Sequence, residues 1–367
     1  MLIGICGSIC AGKRTVAQYL IDHHGFNPLY LRQESSDQNG ALTDSSSATS
    51  IEVYLHKFRS GVISDSNGNG EHSTQAGGSL ETGLADTGVF ETPEELLDYV
   101  TRHWNRCFVT TDIFTEKVLN VLVRRPFFLH VSIDAPLTVR WRRYQQRASR
   151  TGDSDVSLED FVAANDRHQY DPGAGLQPLI ARATVRLLNT SSSLAHLFAT
   201  LGRLNIPNPE RLRPSWDSYF MALASLAAQR SNCMKRRVGC VLVSKEHRVI
   251  STGYNGTPRG QRNCNEGGCG RCNSGNGSGV GLATCLCLHA EENALLEAGR
   301  ERIREGSILY CDTCPCLTCS IKICQLGIHE VVYAYTYSMD KETADVLGQA
   351  GVKLRQFIPV CEPRRMG

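Results

Sequence analysis

The sequence predicts two α/β domains in tandem: a doubly wound parallel sheet, then a three-layer α/β/α unit on a five-stranded mixed sheet. Three observations predict it. Short apolar runs alternate with helical patterns along both halves. A segment with three prolines, residues 205–214, parts the halves. The length of 367 residues exceeds one typical domain and falls short of three. The expected division is a first domain over 1–205, a linker over 206–214 and a second domain over 215–367.

Residues 1–6 are apolar, a Gly-rich turn follows, and residues 15–24 carry a helical pattern, the opening of an α/β domain. Residues 34–91 turn to Ser, Gly, Asn, Asp and Thr and cannot bury enough apolar area to offset chain entropy. They are expected to be a disordered insertion, with one ordered piece near residues 51–58. Order resumes at Thr92, which can cap a helix with Pro93 at its first position and Glu95 completing a capping box. Leu96, Leu97 and Val100 would form its buried stripe. Strands are expected at 107–111, 127–133 and 184–188. In the second domain a helix over 215–229 precedes adjacent strands at 238–243 and 248–253. A long Gly/Asn/Cys loop runs to about residue 287. Helices at 290–299, 316–326 and 341–350 then alternate with strands at 307–311, 330–334 and 352–356.

Composition narrows the function. A formal net charge of +2 argues against a dedicated polynucleotide binder. No export signal and no apolar run near the ~18 residues of a membrane span precede the cysteines. Of 16 cysteines, three lie early and thirteen fall between Cys233 and Cys361. Such density without an export signal predicts metal binding in a reducing compartment, cytoplasmic or also nuclear, over a disulfide framework.

Two short pieces carry the chemistry: His289-Ala290-Glu291, then Pro315-Cys316-Leu317-Thr318-Cys319. Together they form the general signature of zinc deaminases. Cys316 and Cys319 sit three apart at a helix start, so their sulfurs share one face, and the positive end of the helix dipole favours thiolates. One imidazole and two thiolates leave a fourth tetrahedral position for water, whose pKa zinc lowers from ~15.7 to about 7. Glu291 can face that water without binding the metal and pass its proton to the ring nitrogen and the leaving ammonia. The site suits hydrolytic attack on an amidine-like carbon. A purely structural zinc site would leave Glu291 without a role.

Here the chain resembles the deoxycytidylate deaminases, particularly the fungal ones. The resemblance rests on RPSWDSYFMALASLAAQRSNCMKRRVGCV from Arg213, STGYNGTPRG from Ser251, CLCLHAEENALLEAG from Cys285 and CDTCPCLTCSIKICQLGI from Cys311. It implies that His289, Cys316 and Cys319 bind the catalytic Zn2+, that Glu291 shuttles the proton and that Asn255 contacts the substrate sugar. It also implies conversion of dCMP to dUMP for thymidylate synthesis, activation by dCTP, inhibition by dTTP and a homo-oligomer, a hexamer. No membrane and no stable nucleic acid partner are expected. Arg236 and Arg237 are candidates for phosphate contact or for a solvated basic face. Some relatives hold a second, structural zinc on residues matching Cys233, Cys264 and Cys287, with a fourth ligand open here among Cys269, Cys272 and Cys285.

The front domain almost fits a P-loop. Gly7 and Gly12 bracket the turn and Lys13 follows, but Arg14 takes the position of the magnesium-binding hydroxyl, and Thr15 comes one residue late. It resembles the small P-loop kinases, dephospho-coenzyme A kinase nearest. FLHVSIDAPLTVRWRR from Phe128 resembles their strand and lid helix, making Arg140, Arg142, Arg143 and Arg147 candidate lid arginines. Kinase turnover, nucleotide binding without catalysis and a scaffold role all stay open, the scaffold favoured.

Overall fold

The computed structural model describes residues 1–32, 88–151, 156–191, 193–275, 277, 280–281, 284–336 and 340–359. They divide into two compact units, Met1–Leu212 and Arg213–Gly367.

The first unit is built on strands β1 (Leu2–Gly7), β2 (Asn27–Pro28), β5 (Phe108–Thr110), β6 (Phe128–Asp134) and β7 (Val185–Leu188). They lie in the order β2-β5-β1-β6-β7, every pair parallel. Alternation along β1 divides its side chains between two cores. Ile3 and Ile5 join Val16 and Leu20 of the helix Lys13–His24. Leu2 and Cys6 join Leu96, Leu97 and Val100 of the helix Pro93–Arg102. Both faces are thus covered by helices, which is the doubly wound arrangement. The capping box is present: Glu95 N donates to Thr92 Oγ1 at 3.2 Å, and Thr92 N donates to Glu95 Oε2 at 3.4 Å.

The expected insertion, with its piece near 51–58, lies outside the described residues except for 88–91. There the expectation is corrected. Val89–Phe90 (β4) pairs in parallel with Tyr30–Leu31 (β3), and Phe90 is 7% exposed, so order begins before the capping box. Of the expected linker, Ile206 is 1% exposed within the first core, and Asn208 caps the single turn Pro209–Arg211.

In the second unit, β8 (Gly239–Val243), β9 (Val249–Tyr254), β10 (Ile308–Thr313), β11 (Glu330–Tyr335) and β12 (Lys353–Gln356) form a sheet ordered β12-β11-β10-β8-β9. It is mixed: β8 runs antiparallel to β9 and β10, while β10, β11 and β12 are parallel. Strand alternation again makes two layers. Cys240, Leu242, Leu309 and Cys311 pack on Ala290, Ala294 and Ile323, whereas Val241, Val243, Tyr310 and Val332 pack on Phe220 and Ala224. The helix Trp216–Ala228 therefore covers one face, and the helices Ala290–Ala298 and Leu317–Gln325 cover the other. Among the described residues no helix is long and apolar enough to cross a membrane.

Candidate active site

Two helix starts meet on the second face of this sheet. His289 is the N-cap of Ala290–Ala298, and Cys316 is the N-cap of Leu317–Gln325. The first helix lies directly on β9 because Gly253 has no side chain: a Cβ there would stand 2.1 Å from Ala290 O and 2.5 Å from Ala294 N. Ser251 Oγ donates to Ala294 O at 2.7 Å, and Asn293 Nδ2 donates to Tyr254 O at 2.9 Å, fixing the helix on the strand. An ion pair between Glu292 and Lys322 ties the two helices together. The buried Thr343 Oγ1 donates to Pro315 O at 3.0 Å and holds the turn before Cys316.

These restraints bring the predicted trio together. His289 Nδ1 stands 3.3 Å from Cys316 Sγ and 3.4 Å from Cys319 Sγ, and the three ligand atoms lie within 4.8 Å of one another. Around tetrahedral zinc, with bonds of about 2.0–2.3 Å, such a nitrogen and sulfur are about 3.6 Å apart. The donors fit that ion. Their proton chemistry fits it too. The contact with Cys319, and then that with His289, holds the Cys316 thiol down to about 3, and the same Cys316–Cys319 contact pushes Cys319 up. The Cys316 sulfur pushes His289 up to about 9. The trio thus competes for protons, and a dication replacing those protons would let both sulfurs be thiolates and the imidazole be neutral.

Glu291, at the second position of the helix, is 4% exposed, and burial pushes its carboxyl up to about 7. The His289 charge pulls it down and the Cys316 charge pushes it up, each less than burial does. A further buried carboxylate, Asp312 on β10, escaped the motif reading. Burial pushes it up to about 6, and its Oδ2 accepts from Gly239 N at 3.1 Å. Its signal was visible in Leu309-Tyr-Cys-Asp-Thr-Cys314, a carboxylate inside an otherwise apolar strand.

Asn255 follows β9 and is 8% exposed. Its Oδ1 accepts from Ser231 Oγ at 2.6 Å and Val238 N at 2.9 Å, and its Nδ2 donates to Arg236 O at 2.8 Å. The amide therefore anchors the 231–238 loop and keeps one N–H beyond these contacts. Arg236 and Arg237 are exposed. Cys233, Cys264 and Cys287 gather in a group separate from the His289 trio and completed by Cys272.

In the first unit, Gly7 ends β1, and Gly12, at φ 106°, precedes the helix in a conformation that suits glycine. A cavity of 370 Å³ is lined by Gly7, Gly12, Lys13, Arg14, Arg147 and Arg167 among others, whereas Thr15 is not in its lining. Lys13 Nζ donates to Gly7 O at 2.7 Å and Ser8 O at 3.1 Å. Arg140 donates to Ala135 O at 2.7 Å and Arg143 to Ser191 O at 3.0 Å, while Arg142 is exposed.

Residues 214–335 match the cytidine and deoxycytidylate deaminase zinc-binding region. The chain is 46% identical over 357 residues to the deoxycytidylate deaminase of Schizosaccharomyces pombe, spanning 97% of each chain. The chain belongs to the deoxycytidylate deaminase family. Membership makes it an enzyme, as its motifs predicted. The Saccharomyces cerevisiae deoxycytidylate deaminase is 50% identical over 286 residues, 75% of this chain and 88% of that one. A Mycobacterium phage D29 deoxycytidylate deaminase is 46% identical over 126 residues, which make up 33% of this chain but 95% of the phage protein.

Proposed function

We propose that the chain hydrolyses dCMP to dUMP and ammonia at the site formed by His289, Glu291, Cys316 and Cys319, feeding thymidylate synthesis. One observation carries the reading. An imidazole and two sulfurs converge at zinc-like separations beside a carboxyl that is almost wholly buried. The match of residues 214–335 to the deaminase zinc-binding region supports placing the chemistry in the second unit.

Zinc held by the trio would supply a Lewis acid that makes water nucleophilic at neutral pH. The protein does the rest. Glu291 takes one proton from the attacking water and delivers it to N3 of the cytosine ring. It takes the second proton from the added oxygen as the amine departs, so that water and dCMP balance dUMP and ammonia. Burial keeps solvent from competing for those protons and strengthens each charge interaction. The remaining Asn255 N–H is directed in this reading to a sugar hydroxyl. The approach to the 5′ phosphate falls to exposed basic groups such as Arg236 and Arg237. Activation by dCTP, inhibition by dTTP and hexameric assembly rest on family resemblance.

Ammonia release by the pure protein tests the proposal. Release is expected from dCMP, should stop with a chelator and should rise with added dCTP. Deoxycytidine, lacking the phosphate, should lose most of the activity. Deamination of a cytosine-containing oligonucleotide in preference to dCMP would replace the reading with a polynucleotide deaminase.

The first unit stands outside this chemistry in our reading. Arg14 lines the cavity where the P-loop pattern needs a hydroxyl, and Lys13 is turned onto loop carbonyls. Lys13→Ala is therefore expected to leave dCMP turnover within about twofold, checked by steady-state kinetics. Phosphorylation of a nucleotide or of dephospho-coenzyme A by the parent protein, lost in that variant, would make the unit a kinase.

A further inference from the structure

The loop between Gly256 and Leu288 is closed by a bridge between those two residues, and among its described residues the buried hydrophobic cluster consists of cysteines. Its described residues include the turn Cys264–Glu266 and the short helix Gly270–Asn273. Val280 and Leu286 are 55% and 48% exposed. What it buries is sulfur. Cys264, Cys269, Cys272 and Cys287 form a cluster of their own, with Cys233 and Cys285 packed against it. All six are free thiols.

Their sulfurs fall into two groups of four, each within 4.8 Å: Cys233, Cys264, Cys272, Cys287, and Cys269, Cys272, Cys285, Cys287. Two members are common to both. The separations are 3.8 Å for Cys233–Cys272, 3.7 Å for Cys272–Cys285, 3.9 Å for Cys269–Cys285 and 3.9 Å for Cys272–Cys287. A tetrahedron of sulfurs around zinc, with bonds of about 2.3 Å, has edges of about 3.8 Å. The six sulfurs therefore form two groups of four that share Cys272 and Cys287, and the four separations above match the edges of such tetrahedra.

We infer that this loop holds a binuclear zinc cluster, in which Cys272 and Cys287 bridge two ions, Cys233 and Cys264 complete one, and Cys269 and Cys285 complete the other. This goes beyond a single structural zinc and is independent of the catalytic reading.

A mononuclear site would use four of the sulfurs and leave two thiols packed against it. The backbone shows no such asymmetry. N–H donors point at unshared sulfurs on both sides: Met234 N to Cys264 Sγ at 3.4 Å, and Leu286 N to Cys269 Sγ at 3.4 Å. Such donors favour thiolate over thiol. Six thiolates and two dications leave two negative charges. Arg271, the neighbour of Cys272 in the chain, supplies a positive charge that helps to balance them. The ions would also supply folding energy to the loop.

Metal analysis of the full chain, with and without His289→Ala, tests the inference. Three zinc ions per chain are expected in the parent and two in the variant. The count that survives His289→Ala decides: two supports the cluster, while one or none overturns it. A parent that also holds two would remove the catalytic ion and leave the cluster standing. Cadmium-substituted parent protein gives a second reading that needs no variant. By cadmium–proton NMR, the β-protons of Cys272 and Cys287 should each correlate with two cadmium resonances, and those of the other four cysteines with one. A single all-sulfur resonance correlated with four cysteines, with the other two thiols reacting freely with a thiol reagent, would overturn it.

Discussion

Glu291→Gln should keep the zinc and lose the turnover, slowing dCMP deamination about 10⁴-fold, the upper end for positioned proton transfer. Glutamine has nearly the same shape and fills the same buried space, so neither the helix start nor the ligand trio should shift. What disappears is the carboxylate's ability to gain and lose a proton. The reaction needs that ability twice, once towards N3 and once towards the departing nitrogen. At 4% exposure, little bulk water reaches the position to act instead. Zinc content and the unfolding midpoint should match the parent, and the loss should lie in kcat with KM little changed. Turnover within tenfold of the parent would force a different proton carrier. Asp312 is the first alternative to examine, through Asp312→Asn, since it is the buried carboxyl on the neighbouring strand that burial also pushes up.

The chemistry was legible in the sequence where it is local. Cys316 and Cys319 lie three apart at one helix start, so spacing alone put their sulfurs on a common face, and His289 and Glu291 lie two apart at another helix start. The strands and helices of the second unit were legible for the same reason: period-2 and helical patterns act within a few residues. Pairing over long distances was not. Alternation does not say that β8 inserts between β9 and β10, nor that Arg355 bonds Asp217, 138 residues away, at 2.6 Å. Strands β3 and β4 have two residues each, too few to show a period, so the end of the insertion was misplaced. The division of six loop cysteines between two overlapping groups was equally hidden. The sequence left a fourth ligand open among Cys269, Cys272 and Cys285, and the membership of Cys272 and Cys287 in both groups exists only in three dimensions.

Cys316→Ser is expected to remove the catalytic zinc and lower turnover at least about 10³-fold while leaving the protein folded. The two halves of that outcome have separate causes. A serine hydroxyl does not ionise at neutral pH, so the trio loses one of its two anionic ligands, and the dication is left with an imidazole and a single thiolate. Folding should survive because of where the residue stands. Cys316 is an N-cap with φ −77° and ψ 167°, and no side-chain cap hydrogen bond is made there. Serine is among the preferred residues at an N-cap and can accept from a backbone N–H of the first turn. The helix start is thus at least as well satisfied in the variant. Cys319, 1% exposed, is the less clean choice, because a hydroxyl there must find a buried partner. Zinc per chain should fall by one, the unfolding midpoint should stay within a few degrees of the parent, and added zinc should not restore ammonia release. A variant that keeps its full zinc content and deaminates dCMP at the parent rate would mean that the ion is held by other groups, and the assignment of His289, Cys316 and Cys319 as its ligands would fail.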